Sequence, residues 1–535
     1  MGSGIDIKSL FSNVRNYFIL CLVLIAIGLS LSKPLITLGL FGLLIVWLAD
    51  GNIKLKLKAF YNNKIALMIS SVYLLTLLGL LYTSNYNFAI DDVRRKMPLF
   101  FLPFYFSGFS PLTKKEFSLL IKIYIVGVLL ASFWSFYVYM GGLHITIVDV
   151  RDYSRFNSHI RFGLEIALAL FFSFHYIVTT KKLKLKLMWL LVAVWLLCSL
   201  FIFNLFTGMI VFIATIFLML LVFGLITKNK RLKLLFLSLF AIIGISTFLF
   251  IKNVINDFYS CNDILPLKEI PYSKFGGKYQ KDGYTDSSTL KENGYYVEKN
   301  ITWIEFAEAW NKRSKISFEG EDLKGQKIKN TLIRFITSKG QRKDKEAIDN
   351  LSDEEVKAIE EGIPNYKYLI MDEFSVRLHK IIWEYDSYIN NRNINGHSVL
   401  MRWEYWKTAV HIIKGNWLSG VGTGDVQDAF DLQYEKDKSL LEPKYRLRAH
   451  NQYLTYGVTF GIIGLSWFFF FLFYPVIKTK MYKNYFYVAF FIIAVLSMLT
   501  EDTLETQVGI NFFVFFNTIL LLSSETQADK SVVEI

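Results

Sequence analysis

Eleven apolar stretches, each long enough to cross a bilayer as a helix, constrain this chain more than any other feature. They run at about 17 to 32, 34 to 49, 65 to 82, 117 to 140, 160 to 180, 188 to 206, 208 to 227, 233 to 252, 452 to 476, 484 to 500 and 508 to 523. In hydrocarbon every backbone polar group needs an internal partner, which a helix supplies and irregular chain does not. A shorter twelfth stretch, Met97 to Ser110, contains Pro98 and Pro103. Composition agrees: of 535 residues 53% are hydrophobic and 17% aromatic, with a mean hydropathy of +0.36, outside the soluble range. The predicted fold class is an all-α integral membrane protein of about 12 transmembrane helices.

The formal charge of +14 does not point to a nucleic-acid partner, because the lysines fall in short clusters between apolar runs, such as Lys54/Lys56/Lys58 and Lys181/Lys182/Lys184/Lys186. That is the pattern of cytoplasmic loops. With the N-terminus inside and twelve spans counted, Lys54 to Lys64, Lys114/Lys115, Lys181 to Lys186, Lys228 to Lys233 and Lys478 to Lys483 all fall inside. Arg94, Arg95 and Lys96 are the exception. Dropping the short span scatters the clusters to both sides, so the expected topology has both termini cytoplasmic and a long outer loop. Cys21 and Cys198 lie in apolar runs and only Cys261 in a polar stretch, so neither a structural disulfide nor a zinc site is expected. No small-residue cleavage site follows the first run, which reads as a retained helix rather than a signal peptide.

The expected organisation is transmembrane helices 1 to 9 over residues 1–251, the outer loop domain over 252–449, and helices 10 to 12 over 450–535. The loop reads as folded and mainly helical. Thr302 with Glu305, and Ser352 with Glu355, have capping-box spacing, in which hydroxyl and carboxylate satisfy each other's backbone N–H. Gly362 with Pro364 closes the second of these helices, and a third pattern, Asp322 to Ser338, ends before Gly340. Val399, Trp403, Trp406, Val410 and Ile413 recur at spacings of four and three, which predicts a helix with a packed apolar seam. Arg402 lies beside that seam, and Gly415 ends the helix. Gly420, Gly422 and Gly424 superficially match a nucleotide-binding loop, but no strand precedes them and no lysine follows in place, so they read as a turn.

His450 is the first candidate for chemistry, since it stands where the outer loop joins the tenth span and an imidazole can take a proton from a sugar hydroxyl near neutral pH. A helix-capping role is the bland alternative. Arg151, Arg155 and Arg161 precede the sixth span, and Arg377, Arg402, Arg446 and Arg448 lie in the loop on the same predicted side. Guanidinium forks match phosphate oxygens, and a lipid-linked diphosphate is the natural anion at a membrane surface, although snorkelling accounts for most such arginines. Arg161 is the exception, being four residues from Glu165 at the end of an apolar helix, where charge is expensive. Asp91/Asp92 and Asp149/Asp152 could hold a divalent metal, but solvated loop carboxylates are commoner.

Together these residues form a pattern. Arg402-Trp403 with Trp406 is followed by Asn416-Trp417-Leu418-Ser419-Gly420-Val421-Gly422-Thr423-Gly424, then by Ala449-His450-Asn451-Gln452-Tyr453-Leu454, with Gly461 and Gly464 beyond. It resembles the O-antigen ligase and polymerase superfamily of bacterial envelope glycan transferases, His450-Asn451 and Gly461 reproducing the histidine motif. The resemblance implies a GT-C-like membrane glycosyltransferase with one large periplasmic loop, in the inner membrane, its active site facing the periplasm. The implied donor is a glycan on undecaprenyl diphosphate, passed with inversion to a hydroxyl of lipid A-core or another glycan or protein acceptor, with no cofactor and no metal. By the same resemblance His450 is the catalytic base and Arg402 a diphosphate-binding arginine, with Arg161 or Arg155 supplying a second. Arg377, Arg448, Asn451 and Glu165 are supporting candidates.

Two departures stand out. The family often places a serine-arginine or serine-lysine pair where this chain has Asn204-Leu205-Phe206-Thr207-Gly208, and residues 259–385 form an insertion ahead of the family core at 398–449. O-antigen ligation is favoured over polymerisation or protein O-glycosylation. A lipid-linked glycan flippase is the alternative of another class, although transporters usually show two related halves and charges at mid-membrane. A metal-dependent transferase would be sensitive to chelation, and the His450 reading predicts indifference.

Overall fold

The computed structural model describes residues 14–142, 150–260, 267–268, 270–280, 290–389 and 395–523. They divide into two compact units, Met1–Ile243 with Arg402–Ile535, and Gly244–Met401. Residues 402–449 thus belong to the unit of the apolar helices. Asp149 and Cys261 lie outside the described residues.

The chain opens with α1 (Val14–Leu31), α2 (Lys33–Ala49), α3 (Ile53–Asn62) and α4 (Lys64–Leu78), the last extended by a 3-10 turn at Gly79–Tyr82. Gly51 and Asn52 are both left-handed (φ 67° and 51°), and α3 turns back at 118° from α2. Within the expected lysine cluster, Lys56 is buried: its ammonium bonds the Trp47 carbonyl (2.6 Å) and Asp50 (2.9 Å). After α5 (Tyr86–Lys96) comes α6 (Pro98–Ser107), the short span of the sequence reading. Its 10 residues give about 15 Å, half of a hydrocarbon core. Next come α7 (Lys114–Tyr139), α8 (His159–Thr179), α9 (Leu183–Ile202), α10 (Phe206–Ile226) and α11 (Lys230–Ser260).

By length and composition, eight helices among the described residues are able to cross a membrane, or nine if α2 and α3 count as one bent span. The chain is a multi-pass membrane protein. The last two expected spans are shorter helices than the sequence suggests: α20 (Tyr485–Ser497) and α21 (Gln507–Leu521), which follow α19 (Gln452–Thr479). Shortness does not make α21 peripheral, since every residue from Val508 to Leu521 is buried. It packs on α6, α1 and α20 and forms the centre of this unit. In α8, thirteen consecutive residues from Arg161 to Ser173 are buried.

The second unit has its own core. It carries a hairpin, β1 (Lys291–Glu292) and β2 (Tyr295–Tyr296), and helices α12 (Trp303–Arg313), α13 (Ile328–Ser338), α14 (Lys345–Asp349), α15 (Asp353–Glu360) and α16 (Glu373–Ile389). Asn293 and Gly294 at the hairpin both have positive φ, the geometry of a turn matched to strand twist. Phe306, Trp310, Leu332, Phe335, Ile336 and Ile348 form the core. The Ser352/Glu355 capping box is present, whereas the Thr302 hydroxyl does not cap its helix and donates instead to the Lys343 carbonyl (3.2 Å). The third helical pattern is shorter than expected. Asp322 closes a turn, accepting from the backbone N–H groups of Lys324 and Gln326, and helix begins only at Ile328.

α17 (Ser398–Gly415) and α18 (Val426–Lys436) lead into α19. The expected seam of α17 is not its packed face. Trp403 is 55% exposed and Val410 39%, while Tyr405, Thr408, Ala409 and Ile412 are buried.

Candidate active site

His450 stands just before Asn451, the residue that caps α19, and has a left-handed backbone (φ 46°), a conformation that costs a non-glycine residue about 1–2 kcal/mol. Its neighbours impose it. The Ala449 carbonyl accepts the Trp406 indole N–H (3.0 Å), and the Asn451 side chain caps α19, accepting from the N–H groups of Tyr453 (3.0 Å) and Leu454 (3.1 Å). Capping therefore falls to Asn451, which leaves the imidazole half-buried beside the Tyr405 ring, centroids 5.9 Å apart.

The start of α19 is bound to the segment 499–506 that joins α20 to α21. Asn451 donates to the Leu499 carbonyl (3.0 Å), the Gln452 N–H to the Met498 carbonyl (2.8 Å) and the Thr455 hydroxyl to Asp502 (2.7 Å). The Gln452 amide bonds Glu505 (3.2 Å) and accepts the Leu504 N–H (2.5 Å). Burial raises the Asp502 carboxyl above its ordinary range and Glu505 adds to this, while the Thr455 hydroxyl, His450 and Arg448 oppose it. For Glu505 burial is outweighed, mainly by Lys96, and its carboxyl is lowered.

Two of the candidate arginines meet this segment. Arg402 reaches Glu501 at 3.4 Å. Arg161 is 7% exposed, and the carboxylates acting on it are Glu501, Glu165 and Asp502. Among the described residues, none accepts a hydrogen bond from its Nη2. Glu165 serves elsewhere, taking the Asn157 amide at 2.8 Å. The guanidinium lies over Gly509 at the start of α21, where an added Cβ would stand 2.4 Å from Nη1. Arg448 bonds Gln427 (3.4 Å) and lies over the Phe88 ring at 4.3 Å. Arg155 is exposed in the stretch before α8. Arg377 belongs to the second unit, where it donates to Ser398 (3.5 Å).

Asp91 and Asp92 turn to different cations, Arg94 (3.3 Å) and Lys96 (2.8 Å). Arg95 donates to the Glu505 carbonyl (3.0 Å) and Lys96 also reaches the Glu505 carboxylate (2.8 Å). Of the three cations that break the positive-inside pattern, Arg95 and Lys96 are thus taken up by internal contacts, while Arg94 pairs with Asp91 at the surface. In Asn204–Gly208, Asn204 is left-handed and Gly208 crosses Gly163 so closely that an added Cβ would lie 2.7 Å from its Cα. A tight helix crossing stands where the family often has a cation.

The glycine triplet is a turn, as read from the sequence. Val421 and Gly422 donate to the carbonyls of Val458 and Thr459 (2.9 Å each), Gly424 donates to the Thr83 hydroxyl (2.9 Å), and Asp425 caps Ser84 and Asn85 (2.7 Å each). Its amides are used by protein, not by phosphate. Gly461 has φ 62° and ψ −161° and breaks α19 beside this turn. The Ile462 N–H freed there donates to the Trp417 carbonyl (2.8 Å).

Residues 368–469, which hold Arg402, the turn, His450 and Gly461, match the family model Wzy_C, O-antigen ligase. Over this segment the match supports the O-antigen ligase and polymerase superfamily. No curated protein matches the chain. The match supports a membrane glycosyltransferase of the O-antigen ligase and polymerase type. It ends before the carboxylate segment, so Glu501, Asp502, Glu505 and Lys96 come from the fold. The sequence did carry a signal for them: three carboxylates within five residues between two apolar runs, on the predicted side of His450.

Proposed function

We propose that this protein transfers a glycan from undecaprenyl diphosphate to an acceptor hydroxyl, acting as an O-antigen ligase on a lipid A-core acceptor at the periplasmic face of the inner membrane. His450 takes the proton of the acceptor hydroxyl as its oxygen bonds the anomeric carbon. The bond from that carbon to the diphosphate oxygen breaks, with inversion, and Arg402 and Arg161 stabilise the charge left on undecaprenyl diphosphate. Neutralisation by guanidinium rather than metal is what this reading requires, and it predicts activity in the presence of chelator. The observation that carries it is the convergence of His450 and Arg402, both within the residues that match this family, and of Arg161 on one carboxylate-bearing segment beyond the match. Inner-loop lysine clusters support the orientation.

The test is transfer by membranes containing His450→Ala, given lipid-linked donor and a range of acceptors, beside wild type inserted to the same level. Loss of transfer with normal insertion supports the assignment, and the acceptor used by wild type identifies ligase, polymerase or protein transferase. Undiminished transfer by His450→Ala removes the base. Wild type that moves lipid-linked glycan across vesicles without transferring it returns the flippase reading.

A further inference from the structure

Lys96 is 2% exposed, yet its ammonium meets two carboxylates at 2.8 Å, Asp92 from its own helix and Glu505 from the 499–506 segment, and lies 5.9 Å from the Tyr456 ring of α19. One carboxylate one turn away would satisfy a buried lysine. The second is brought from a different part of the chain, and it is also held by Gln452 and, through its carbonyl, by Arg95. Glu505 is one end of a short segment whose other end is Glu501, the residue that meets Arg402. A 3-10 turn at Thr503–Glu505 and the bond from Thr455 to Asp502 stiffen the stretch between them. A shift at Glu505 therefore reaches Glu501 and the guanidinium it meets.

We propose that Lys96 is a positioning residue for the diphosphate-binding Arg402, acting through Glu505 and the 499–506 segment. This rests on the reading that Arg402 binds a lipid-linked diphosphate. Without Lys96, Asp92 and Glu505 face each other in a medium of low dielectric with no cation between them. Asp92 is fixed in the middle of α5, so the segment is the part that yields. The charged and titratable groups that face this pair and its segment are Asp92 and Arg95 on α5, Tyr456 on α19, Asp502 within the segment, and Arg448 and His450 just before α19, of which Arg448 acts on Glu505 as well as on Asp502.

The experiment measures binding of undecaprenyl diphosphate, without glycan, to the purified full chain as wild type, Lys96→Met, Arg402→Ala and the double variant. Lys96→Met is expected to bind about tenfold more weakly, and the double variant no more weakly than Arg402→Ala alone, because both losses act on one contact. A merely structural lysine lowers melting temperature and gives additive losses. Additivity, or wild-type affinity in a folded Lys96→Met, overturns the proposal. Where Lys96→Met does not fold, Glu505→Gln, nearly equal in volume, must show the same non-additivity with Arg402→Ala. If Arg402→Ala binds the probe as wild type does, the diphosphate reading itself has failed, an outcome distinct from additivity, and the positioning role falls with it.

Discussion

Replacing His450 by glycine is expected to give a more stable protein than replacing it by alanine, although neither transfers glycan. At φ 46° a residue with a Cβ pays about 1–2 kcal/mol that glycine avoids. Glycine returns about 0.5–1 kcal/mol of this through its greater freedom in the unfolded chain. Both variants lose the ring contact with Tyr405, about 0.5–1.5 kcal/mol, which drops out of the comparison. The remainder, about 1 kcal/mol in favour of glycine, corresponds to roughly 1 °C in a chain of this size. His450→Asn belongs between them, because asparagine adopts left-handed backbone more readily than alanine. The assay is thermal unfolding of detergent-solubilised protein at one heating rate, with transfer measured on the same preparations. Alanine melting at or above glycine would show that the backbone at 450 is not left-handed. The argument that Asn451 caps while His450 is turned out of the helix would then fail.

Arg402→Lys keeps the charge but loses the planar fork, and should raise the donor KM by about tenfold, with Arg402→Ala larger still; equal values for arginine and lysine would deny a bidentate contact. Gly420 has φ 71° and an added Cβ would lie 2.4 Å from the Thr459 backbone, so Gly420→Ala should lose about 3 kcal/mol or more, while Gly415→Ala, with nothing within 4 Å, should melt within a degree of wild type. In the second unit, burial and then the charge of Lys367 push His379 down to about 4, against the pull of Asp257. Its folded value lies below the ordinary 6.5, so its contribution of about 3 kcal/mol is present above pH 6.5 and is lost as pH falls toward 4. Hydrogen exchange in residues 366–389 should accelerate over that window in wild type and lose the dependence in His379→Phe.

Much of the fold was legible because lipid imposes long apolar helices: α1, α7, α8, α10 and α19 lie where hydropathy places them. The short helices were not, since α20 and α21 are apolar beyond their helical ends and a hydropathy run does not show where helix stops. Hydrophobicity also chose the wrong face of α17, whose buried side includes Glu404 and Thr408 and whose Trp403 faces outward. Within the insertion the Asn293-Gly294 pair was a readable hairpin signal, while the Thr302 cap failed because Lys343, whose carbonyl competes for its hydroxyl, is distant in sequence. His450, Arg402 and the glycine turn were legible as a motif. The role of Lys96 was not, because a buried charge is intelligible only with all its partners, and while Asp92 is one turn away, Glu505 comes from the opposite end of the chain.

The distribution of charge over those partners bears on what the site does. Lys96 holds two carboxylates at 2.8 Å each, within the range of strong charge-assisted bonds. Arg402 holds Glu501 only at 3.4 Å, and the buried Nη2 of Arg161 donates to none of the described residues. Pairing is thus tight at Lys96 and loose at the two arginines. If stability alone had shaped the cluster, the most deeply desolvated guanidinium would be among the best bonded, because an under-bonded buried charge is costly. The shortfall falls instead on the two arginines that share a carboxylate segment with His450. A diphosphate entering there would meet donors already fixed in direction, and little would need to reorganise as charge develops on the leaving group. On this reading Glu501 orients Arg402 without saturating it, and Glu501→Gln should leave the fold intact while changing donor binding more than acceptor binding.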